Sequence, residues 1–437
     1  MENTTTLPGI PLDFILFGLT LLGVALFHHH TLKVSLTGLV VITTYKLLFG
    51  DFSGTPGLPG LGQLVAHEWV TIANLLGLLL GFALLADHFE RSEIPALLPD
   101  YLPDDWKGGF VMLVLVFVIS SFLDNIAAAM IGGSMAAVLY QRKVHIGFLV
   151  AIVAASNAGG SGSVVGDTTT TMLWIGGVKP AQVFEAYVAA VPALIIFGVI
   201  AARQQHAYQP ILKDSPKGVH VHWARLGIVV VILLSTVLAN VYFNLSHPTV
   251  LAQFPVIGVA VWAAIGVTIP WRRPNWKLLP DAFRGSLFLL SLVLCAAMMP
   301  VQQLPPASWP SALGLGFVSA VFDNIPLTAL ALRQGGYDWG FLAYAVGFGG
   351  SLLWFGSSAG VALCNLYPEA KSVGRWLRHG WPVALGYVTG FFILLVLQGW
   401  QPDSPVAHGA ARQTTPDAPA VTPNFIATFP PISNVTR

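Results

Sequence analysis

Long apolar stretches alternate with short polar segments along most of the 437-residue chain. A bilayer core needs roughly 20 apolar residues per helix, so this pattern predicts a bundle of membrane-spanning helices. The predicted apolar spans are Leu12–Phe27, Leu32–Phe49, Trp69–Ala86, Phe110–Tyr140, His145–Ile175, Phe184–Ala202, Ala224–Phe243, Phe254–Ile269, Phe283–Met299, Ala312–Leu332, Phe341–Leu366 and Trp381–Trp400. A glycine- and proline-containing loop, Gly50–His67, and an acidic loop, Asp87–Lys107, flank the third of these spans.

One of these stretches has a polar centre that a continuous helix does not tolerate. Ser156–Trp174 contains four glycines within a few residues, followed by Asp167 and four consecutive threonines. Glycine costs about 1 kcal/mol per helical position relative to alanine, so the pattern predicts two half-helices meeting at an unwound centre. At membrane depth such a break is tolerated only where it is buried in protein or lines a cavity, and transporters bind ions and substrates at such breaks.

The overall composition is that of a membrane protein. Apolar residues make up 55% of the chain and charged residues 9%, whereas soluble domains carry about 25% charged residues. The mean hydropathy is +0.71. The formal net charge of +1 argues against a nucleic-acid partner. The two cysteines, Cys295 and Cys364, provide neither a disulfide framework nor metal-ligand spacing, and no catalytic constellation indicates an enzyme.

Lysine and arginine are segregated between loops, which predicts the topology. The basic loops, which are therefore expected in the cytoplasm, are Arg142–Lys143, Arg203–Arg225, Arg272–Arg284 and Lys371–Arg378. The loops that are nearly free of lysine and arginine are Gly50–His67, Asn244–Gln253 and Pro300–Ser311. The two sets alternate only if Phe110–Tyr140 and Ala312–Leu332 are re-entrant hairpins. The prediction is about ten crossings, with Asp87–Lys107 inside, both termini outside the cytoplasm, and the first apolar run retained as a helix.

An internal repeat supports this arrangement. Leu123-Asp-Asn-Ile126 recurs as Phe322-Asp-Asn-Ile325, and Ser156-Asn-Ala-Gly-Gly160 recurs more weakly as Ser357-Ser-Ala-Gly-Val361. Two copies that enter from opposite faces form an inverted repeat with a site near the midplane. The expected fold is an all-α polytopic membrane protein, an inverted-repeat transporter with two re-entrant hairpins and two broken helices. The expected segments are N-terminal scaffold helices (1–68), a first repeat (69–203), a linker (204–223), a second repeat (224–400) and a polar tail (401–437).

Acidic residues inside the apolar stretches are the main candidates for chemistry. Asp124 and Asp323 interrupt the two hairpins, and each is followed by an asparagine, Asn125 and Asn324. An ionisable group at this depth is costly unless it is paired or solvated, so it marks a functional site by default. Burial raises the pKa of a carboxyl group and a bound cation lowers it, so one aspartate can hold either a proton or a cation. A structural alternative, compatible with this role, is that each aspartate caps a half-helix.

Further oxygens are expected from the break itself. Asp167 supplies charge beside neutral hydroxyls, and because adjacent threonines face different directions only Thr168 or Thr169 is expected to reach the site. The second copy has Ser357 and Ser358 and no acid at this place. The three aspartates Asp124, Asp167 and Asp323 are therefore the expected Na+ ligands. The run His28–His30 is interpreted as an interfacial cluster.

The sequence resembles the NhaD-type sodium/proton antiporters of the ion transporter superfamily. The resemblance is carried by the two Asp-Asn-Ile hairpins and by the motif Asn157-Ala-Gly-Gly…Val165-Gly-Asp-Thr-Thr-Thr-Thr-Met-Leu-Trp174. The resemblance covers most of the chain from about Trp69 to Trp400 and includes Asn157 among the site residues. It implies a scaffold and a transport domain, elevator-like movement, a homodimer in the inner (plasma) membrane, and Na+ and H+ as transported ions without a cofactor.

The superfamily also contains citrate and dicarboxylate carriers and the arsenite pump. Carboxylate-carrying relatives have Ser-Asn-Thr at the hairpin tips, whereas this chain has Asp-Asn-Ile. Exchange of Na+ or Li+ for H+ is the first hypothesis, because the two hairpins and the two broken helices contain three acids and no Lys or Arg. Transport of a carboxylate or of arsenite stays open, since a bound Na+ could supply the missing counter-charge.

Overall fold

The computed structural model describes residues 6–7, 10–27, 30–52, 54–94, 102–212 and 220–403. Apart from two short β-hairpins, Thr6–Leu7 with Ile10–Pro11 and Asp51–Phe52 with Thr55–Pro56, its regular elements are helices. Within these residues six helices are long and apolar enough to cross a membrane: Thr31–Phe49, Gly57–Glu90, Pro180–Tyr208, Trp223–Phe243, Trp276–Ala297 and Val373–Gln398. The chain is an all-α polytopic membrane protein. Of the histidine run only His30 lies among the described residues.

The N-terminal helices are α1 (Leu12–Leu26), α2 (Thr31–Phe49) and α3 (Gly57–Glu90). The prediction of a loop over Gly50–His67 was wrong from residue 57 onwards, because α3 has 34 residues and includes most of it. Pro59 lies in the first turn of α3, where its missing N–H has no intrahelical partner to lose. At 1.5 Å per residue α3 is about 51 Å long, which exceeds the roughly 30 Å hydrocarbon core.

Two further groups of helices follow. The first contains α4 (Trp106–Ser120), α5 (Asn125–Leu139), α6 (Ile146–Ser161), α7 (Thr168–Ile175), α8 (Pro180–Phe184) and α9 (Ala186–Tyr208). The second contains α10 (Trp223–Ser246), α11 (Pro248–Gln253), α12 (Val256–Thr268), α13 (Leu279–Ala297), α14 (Trp309–Ser319), α15 (Asn324–Gln334), α16 (Trp339–Gly349), α17 (Ser358–Leu366) and α18 (Val373–Gln398). The basic segment Lys371–Arg378, expected as a loop, is helical from Val373.

The chain unwinds between α6 and α7, as the glycines predicted, but later than expected. Gly159 and Gly160 lie inside α6, and the irregular segment covers residues 162–167. A corresponding interruption separates α16 from α17, with a 3-10 turn at Gly350–Leu352.

Equivalent contacts in the two groups correct the register between the motifs. The Ser120 hydroxyl donates to the Ser156 carbonyl (2.5 Å), and the Ser319 hydroxyl donates to the Val346 carbonyl (2.8 Å). Ser156 therefore corresponds to Val346 and not to Ser357. Ser357 instead caps α17 as Asp167 caps α7. The weaker recurrence noted in the sequence thus matched residues before one break with residues after the other.

The broken helices form the centre of the molecule. Every residue of α6 and of α16 is buried. Phe197 of α9 stacks on Phe348 of α16 at a centroid distance of 5.8 Å, and the hydroxyl of Tyr344 in α16 donates to the carbonyl of Tyr387 in α18. This packing places the unwound segments away from the molecular surface.

Candidate functional site

Asp124 and Asp323 occupy equivalent positions at the turns between paired short helices. Asp124 caps α5 by accepting from the Ile126 N–H (3.0 Å), and Asp323 caps α15 by accepting from the Ile325 N–H (3.0 Å). Both aspartates are half-buried. A helix N-terminus stabilises negative charge, so each helix favours the ionised carboxylate at its tip. The structural alternative of a capping aspartate is thus observed, and it leaves the second carboxylate oxygen for other partners.

Asp167 caps α7 from inside the unwound segment. Its Oδ1 accepts from the Thr169 N–H (3.1 Å), and its Oδ2 accepts from the Asn324 side-chain amide (3.4 Å). Only 3% of Asp167 is exposed. The first break and the second hairpin therefore meet through an acid and an amide that are 157 residues apart in the chain.

Asn157 joins the remaining elements. Its Oδ1 accepts from the Asn125 side-chain amide (3.1 Å), and its own amide donates to the hydroxyls of Ser351 and Ser357 (3.0 Å each). All four residues are buried. This network connects the first hairpin, the first broken helix and the second broken helix. Sequence reasoning missed Ser351, whose only signal is a polar residue at the end of an apolar run.

The four threonines at the start of α7 differ in the hydrogen bonds that their hydroxyls make. The Thr170 hydroxyl lies within donating distance of the Ser163 carbonyl (2.6 Å) and the Asp167 carbonyl (2.9 Å). The Thr171 hydroxyl is 2.9 Å from the Val164 and Asp167 carbonyls, so both side chains fix α7 to the unwound segment. The hydroxyl of Thr169 is buried without a hydrogen-bond partner in the described structure. Thr168 is half-buried and faces a cavity together with Asp124 and Asp167. Thr168 and Thr169 are thus the two hydroxyls not taken up by the break itself.

Glycines allow the hairpins to approach the breaks closely. A Cβ at Gly159 would collide with the Phe117 carbonyl, and one at Gly166 would collide with the Ser120 carbonyl. In the second group, a Cβ at Gly356 would collide with the Ala320 carbonyl. These contacts place each hairpin turn beside the adjacent unwound segment.

The cavity beside Asp124 and Asp167 is lined by acidic side chains, one of which, Asp87, is paired with Arg91 (2.9 Å). It has a volume of about 440 Å³ and lies between α3, α5, α7 and α13. Among the described residues its ionisable lining side chains are Asp87, Glu90, Asp124 and Asp167, and none is Lys, Arg or His. Asp87 and Glu90 lie in the last turn of α3, whereas Asp124 and Asp167 cap α5 and α7.

Asp323 lies in a neighbouring, smaller cavity. This cavity has a volume of about 290 Å³ and is also lined by Ser358 and Asn365. The Ser358 hydroxyl donates to Asp323 Oδ2 (3.4 Å). Ile126 lines both cavities. Within the described residues no group of three or more His, Cys, Asp and Glu side chains converges to hold a metal ion. The three aspartates therefore do not form one cluster, and a cation would need hydroxyl or amide oxygens beside them.

A third cavity lies along the opposite half of α3. It has a volume of about 580 Å³ and is lined by Glu68 and Thr71 of α3, Met172 of α7 and Arg333 of α15. Arg333 and Glu68 form an ion pair across it (2.9 Å). Since Thr168 and Thr171 line the acidic cavity and Met172 and Gly176 line this one, α7 separates the two.

Relatives of the chain are named sodium/proton antiporters. The chain is 27% identical over 336 residues to sodium/proton antiporter 1 of Arabidopsis thaliana; the alignment covers 68% of this chain and 55% of that protein. It is 27% identical over 339 residues to the Na(+)/H(+) antiporter NhaD of Vibrio parahaemolyticus (64% and 78% covered). It is 26% identical over 342 residues to that of Halomonas elongata (65% and 66% covered). No protein-family model matches the sequence.

Proposed function

We propose that this protein exchanges Na+ or Li+ for H+ across the plasma membrane. The proposal starts from the similarity of about two thirds of the chain to the NhaD-type sodium/proton antiporters. The matched region spans only about half of the Arabidopsis relative. The proposal therefore depends on the residues of this chain as well as on the relatives' names.

The acidic cavity is the observation that carries the proposal. Four carboxylates line it, of which Asp87 is paired with Arg91, and none of the described lining side chains is basic, so its potential attracts cations and repels a carboxylate substrate. An anion carrier would need a counter-charge that these lining residues do not supply. No separate observation in the described structure favours transport of a carboxylate or of arsenite. The experiment below distinguishes these substrates from Na+.

Exchange follows from competition for the same oxygens. Asp124 and Asp167 offer carboxylate oxygens, and Thr168 offers a neutral hydroxyl in the same cavity. Hard cations such as Na+ bind oxygen ligands, and a carboxylate that carries a proton has lost the charge that attracts the cation. Occupation by a cation and by a proton are therefore alternatives, which couples the two fluxes. Asp323, with Ser358 beside it, is the corresponding carboxylate of the second group.

Access from both sides of the membrane is proposed to alternate around α7. The acidic cavity and the cavity at Glu68 line opposite halves of α3. In this proposal the paired helices α4–α5 and α14–α15 are re-entrant hairpins of an inverted repeat. The hairpins and broken helices move as one body against α1–α3, α10, α12 and α13, in the elevator-like manner that the resemblance implies.

The same proposal includes the orientation and assembly of the protein. Basic loops lie in the cytoplasm, both termini lie outside it, and the protein works as a homodimer in the lipid bilayer. In this proposed orientation Asp87 and Glu90, at the end of α3, lie on the cytoplasmic side of the acidic cavity.

The direct test is transport by the purified protein in proteoliposomes that contain a pH-sensitive dye. We expect Na+ or Li+ gradients to drive proton flux, whereas K+, citrate and arsenite do not. Citrate- or arsenite-dependent flux without a Na+-driven proton signal would replace the antiporter with a carrier of that substrate.

A further inference from the structure

A basic cavity lies at the far end of the first broken helix from the aspartates. It has a volume of about 210 Å³ and is formed by the turn after α5, the end of α9 and the beginning of α18. His145, which lines it, precedes the first residue of α6. Asn157 lies twelve residues further along, a distance of about 18 Å at 1.5 Å per residue. The cavity is thus separate from the proposed ion site.

Positive charge predominates in this cavity. Its ionisable lining residues are Arg142, Lys143, His145, Arg375, His379, Tyr208 and Glu369. Three of these side chains carry a permanent positive charge at neutral pH, and Glu369 alone carries a negative one. The guanidinium of Arg375 donates to the backbone carbonyl of Glu369 (3.3 Å). In the described part of the chain neither Arg142 nor Lys143 forms an ion pair.

The backbone is held in an unusual conformation to bring these groups together. Gln141 and Arg142 have positive φ angles of 47° and 60°, in the left-handed region that residues with a Cβ rarely adopt. The Arg142 N–H donates to the Ala137 carbonyl (2.9 Å), which fixes this turn to the end of α5. Such strained positions cluster at functional sites.

Aromatic rings join the three segments. The His145 ring meets the His379 ring edge to face at 4.9 Å and lies 5.6 Å from the Tyr208 ring. Both histidines are half-buried, whereas Arg142, Lys143 and Arg375 are exposed. The histidines therefore form the more buried part of the cavity wall, and the exposed cationic side chains are accessible to a ligand.

We propose that this cavity binds a phosphate group, either the headgroup of an anionic phospholipid or a free phosphate. Arginine binds phosphate oxygens through two parallel N–H donors, which the ammonium group of lysine supplements. The loops that supply the cations belong to the set expected at the cytoplasmic membrane surface, where anionic headgroups are available. A bound phosphate connects the beginning of α6 with the end of α9 and the beginning of α18 and stabilises this arrangement.

The test measures ligand-dependent thermal unfolding of the full chain, followed by its tryptophan fluorescence. One arm titrates sodium phosphate against sodium chloride at equal Na+, with choline chloride added to equalise the ionic strength and with the protein in phosphatidylcholine nanodiscs. The other arm replaces part of the phosphatidylcholine with phosphatidylglycerol. We expect the wild type to be stabilised in at least one arm; phosphate alone indicates a free anion, and phosphatidylglycerol alone indicates a lipid headgroup.

Three variants identify the site. Arg142→Gln with Arg375→Gln should weaken the apparent affinity by about tenfold or more, since each lost charged contact is worth about a factor of ten. Arg272→Gln with Arg273→Gln removes the same charge from exposed residues that line none of the cavities described here, and this control should retain the wild-type response. Glu369→Gln removes the one carboxylate among the described lining residues and should tighten binding. Absence of stabilisation in both arms, an unchanged response in the Arg142/Arg375 variant, or weaker binding in Glu369→Gln would each overturn the proposal.

Discussion

The aspartates at the proposed ion site have two roles that substitution separates. Each caps a helix, and asparagine caps helices about as well as aspartate does. Replacing aspartate with asparagine therefore removes the charge while retaining the cap. This property makes the acid-to-amide variants suitable tests of charge at Asp124, Asp167 and Asp323.

For Asp167→Asn we expect Na+-driven exchange with an apparent Na+ affinity about 10- to 100-fold lower. A charged interaction lost at a buried site costs about 1.5–3 kcal/mol, which corresponds to that range. The matched control is Asp105→Asn, because Asp105 also caps a helix, accepts from the Lys107 N–H (3.0 Å) and lines none of the cavities. Equal Na+ affinity in Asp167→Asn and the wild type would remove Asp167 from the cation site.

The wild-type protein should lose apparent Na+ affinity as the pH falls. Protons and cations compete for the same carboxylates, so protonation of the site raises the Na+ concentration needed for half-maximal exchange. Linkage limits this rise to about tenfold per pH unit when one proton is displaced. Exchange rates measured against Na+ concentration at several pH values check this, and a Na+ affinity independent of pH would contradict competition.

At the scale of elements, the break between α6 and α7 depends on glycines for steric reasons. A Cβ at Gly160 would lie 2.8 Å from the Gly166 carbonyl and 3.1 Å from Asp167 Cβ. Contacts this short force the unwound segment to move, and Asp167 with it. The glycine is therefore required for the position of the acid, in addition to its low helix propensity.

Replacing Gly160 with alanine, alone or with Gly162→Ala, should abolish exchange while the protein stays folded. A Cβ at Gly162 would meet the Tyr187 ring at 2.5 Å. Gly314→Ala in α14 is the control, because nothing lies within 4 Å of its added Cβ. Transport and size-exclusion behaviour measured together check the prediction; wild-type exchange in the double variant would show that the break does not position a ligand.

The sequence was most informative where a residue conflicted with its surroundings. Asp124, Asp323 and the glycines near 160 stand out because an acid or a glycine is costly in an apolar helix. The length of α3 was missed because Pro59 in its first turn resembles a loop residue. Ser351 and the register between the two breaks were missed because their significance comes only from contacts with Asn157 and Ser319, which lie far away in the chain.

For the whole molecule, the topology predicts which cysteines are labelled from outside the cell. Cysteines placed at Ser53, Ser246 and Ser308 should react with an impermeant maleimide, and one at Ser215 should react only from the cytoplasm. Ser53 and Ser215 lie outside the described residues, Ser246 is exposed, and Ser308 is half-buried at the start of α14. The native Cys295 and Cys364 are buried, which favours a low background. Cytoplasmic labelling at Ser308 would contradict the inverted repeat.

Na+-driven proton flux in Asp124→Asn and Asp323→Asn tests the proposed exchange most directly. Each variant is reconstituted in proteoliposomes beside the wild type and Asp105→Asn, and radiolabelled citrate uptake is measured in parallel. If these carboxylates alternately hold a cation and a proton, wild type and Asp105→Asn exchange Na+ for H+, both acid variants lose coupled exchange, and none takes up citrate. Retained Na+/H+ exchange in both Asp124→Asn and Asp323→Asn, or citrate uptake by the wild type, would contradict this mechanism.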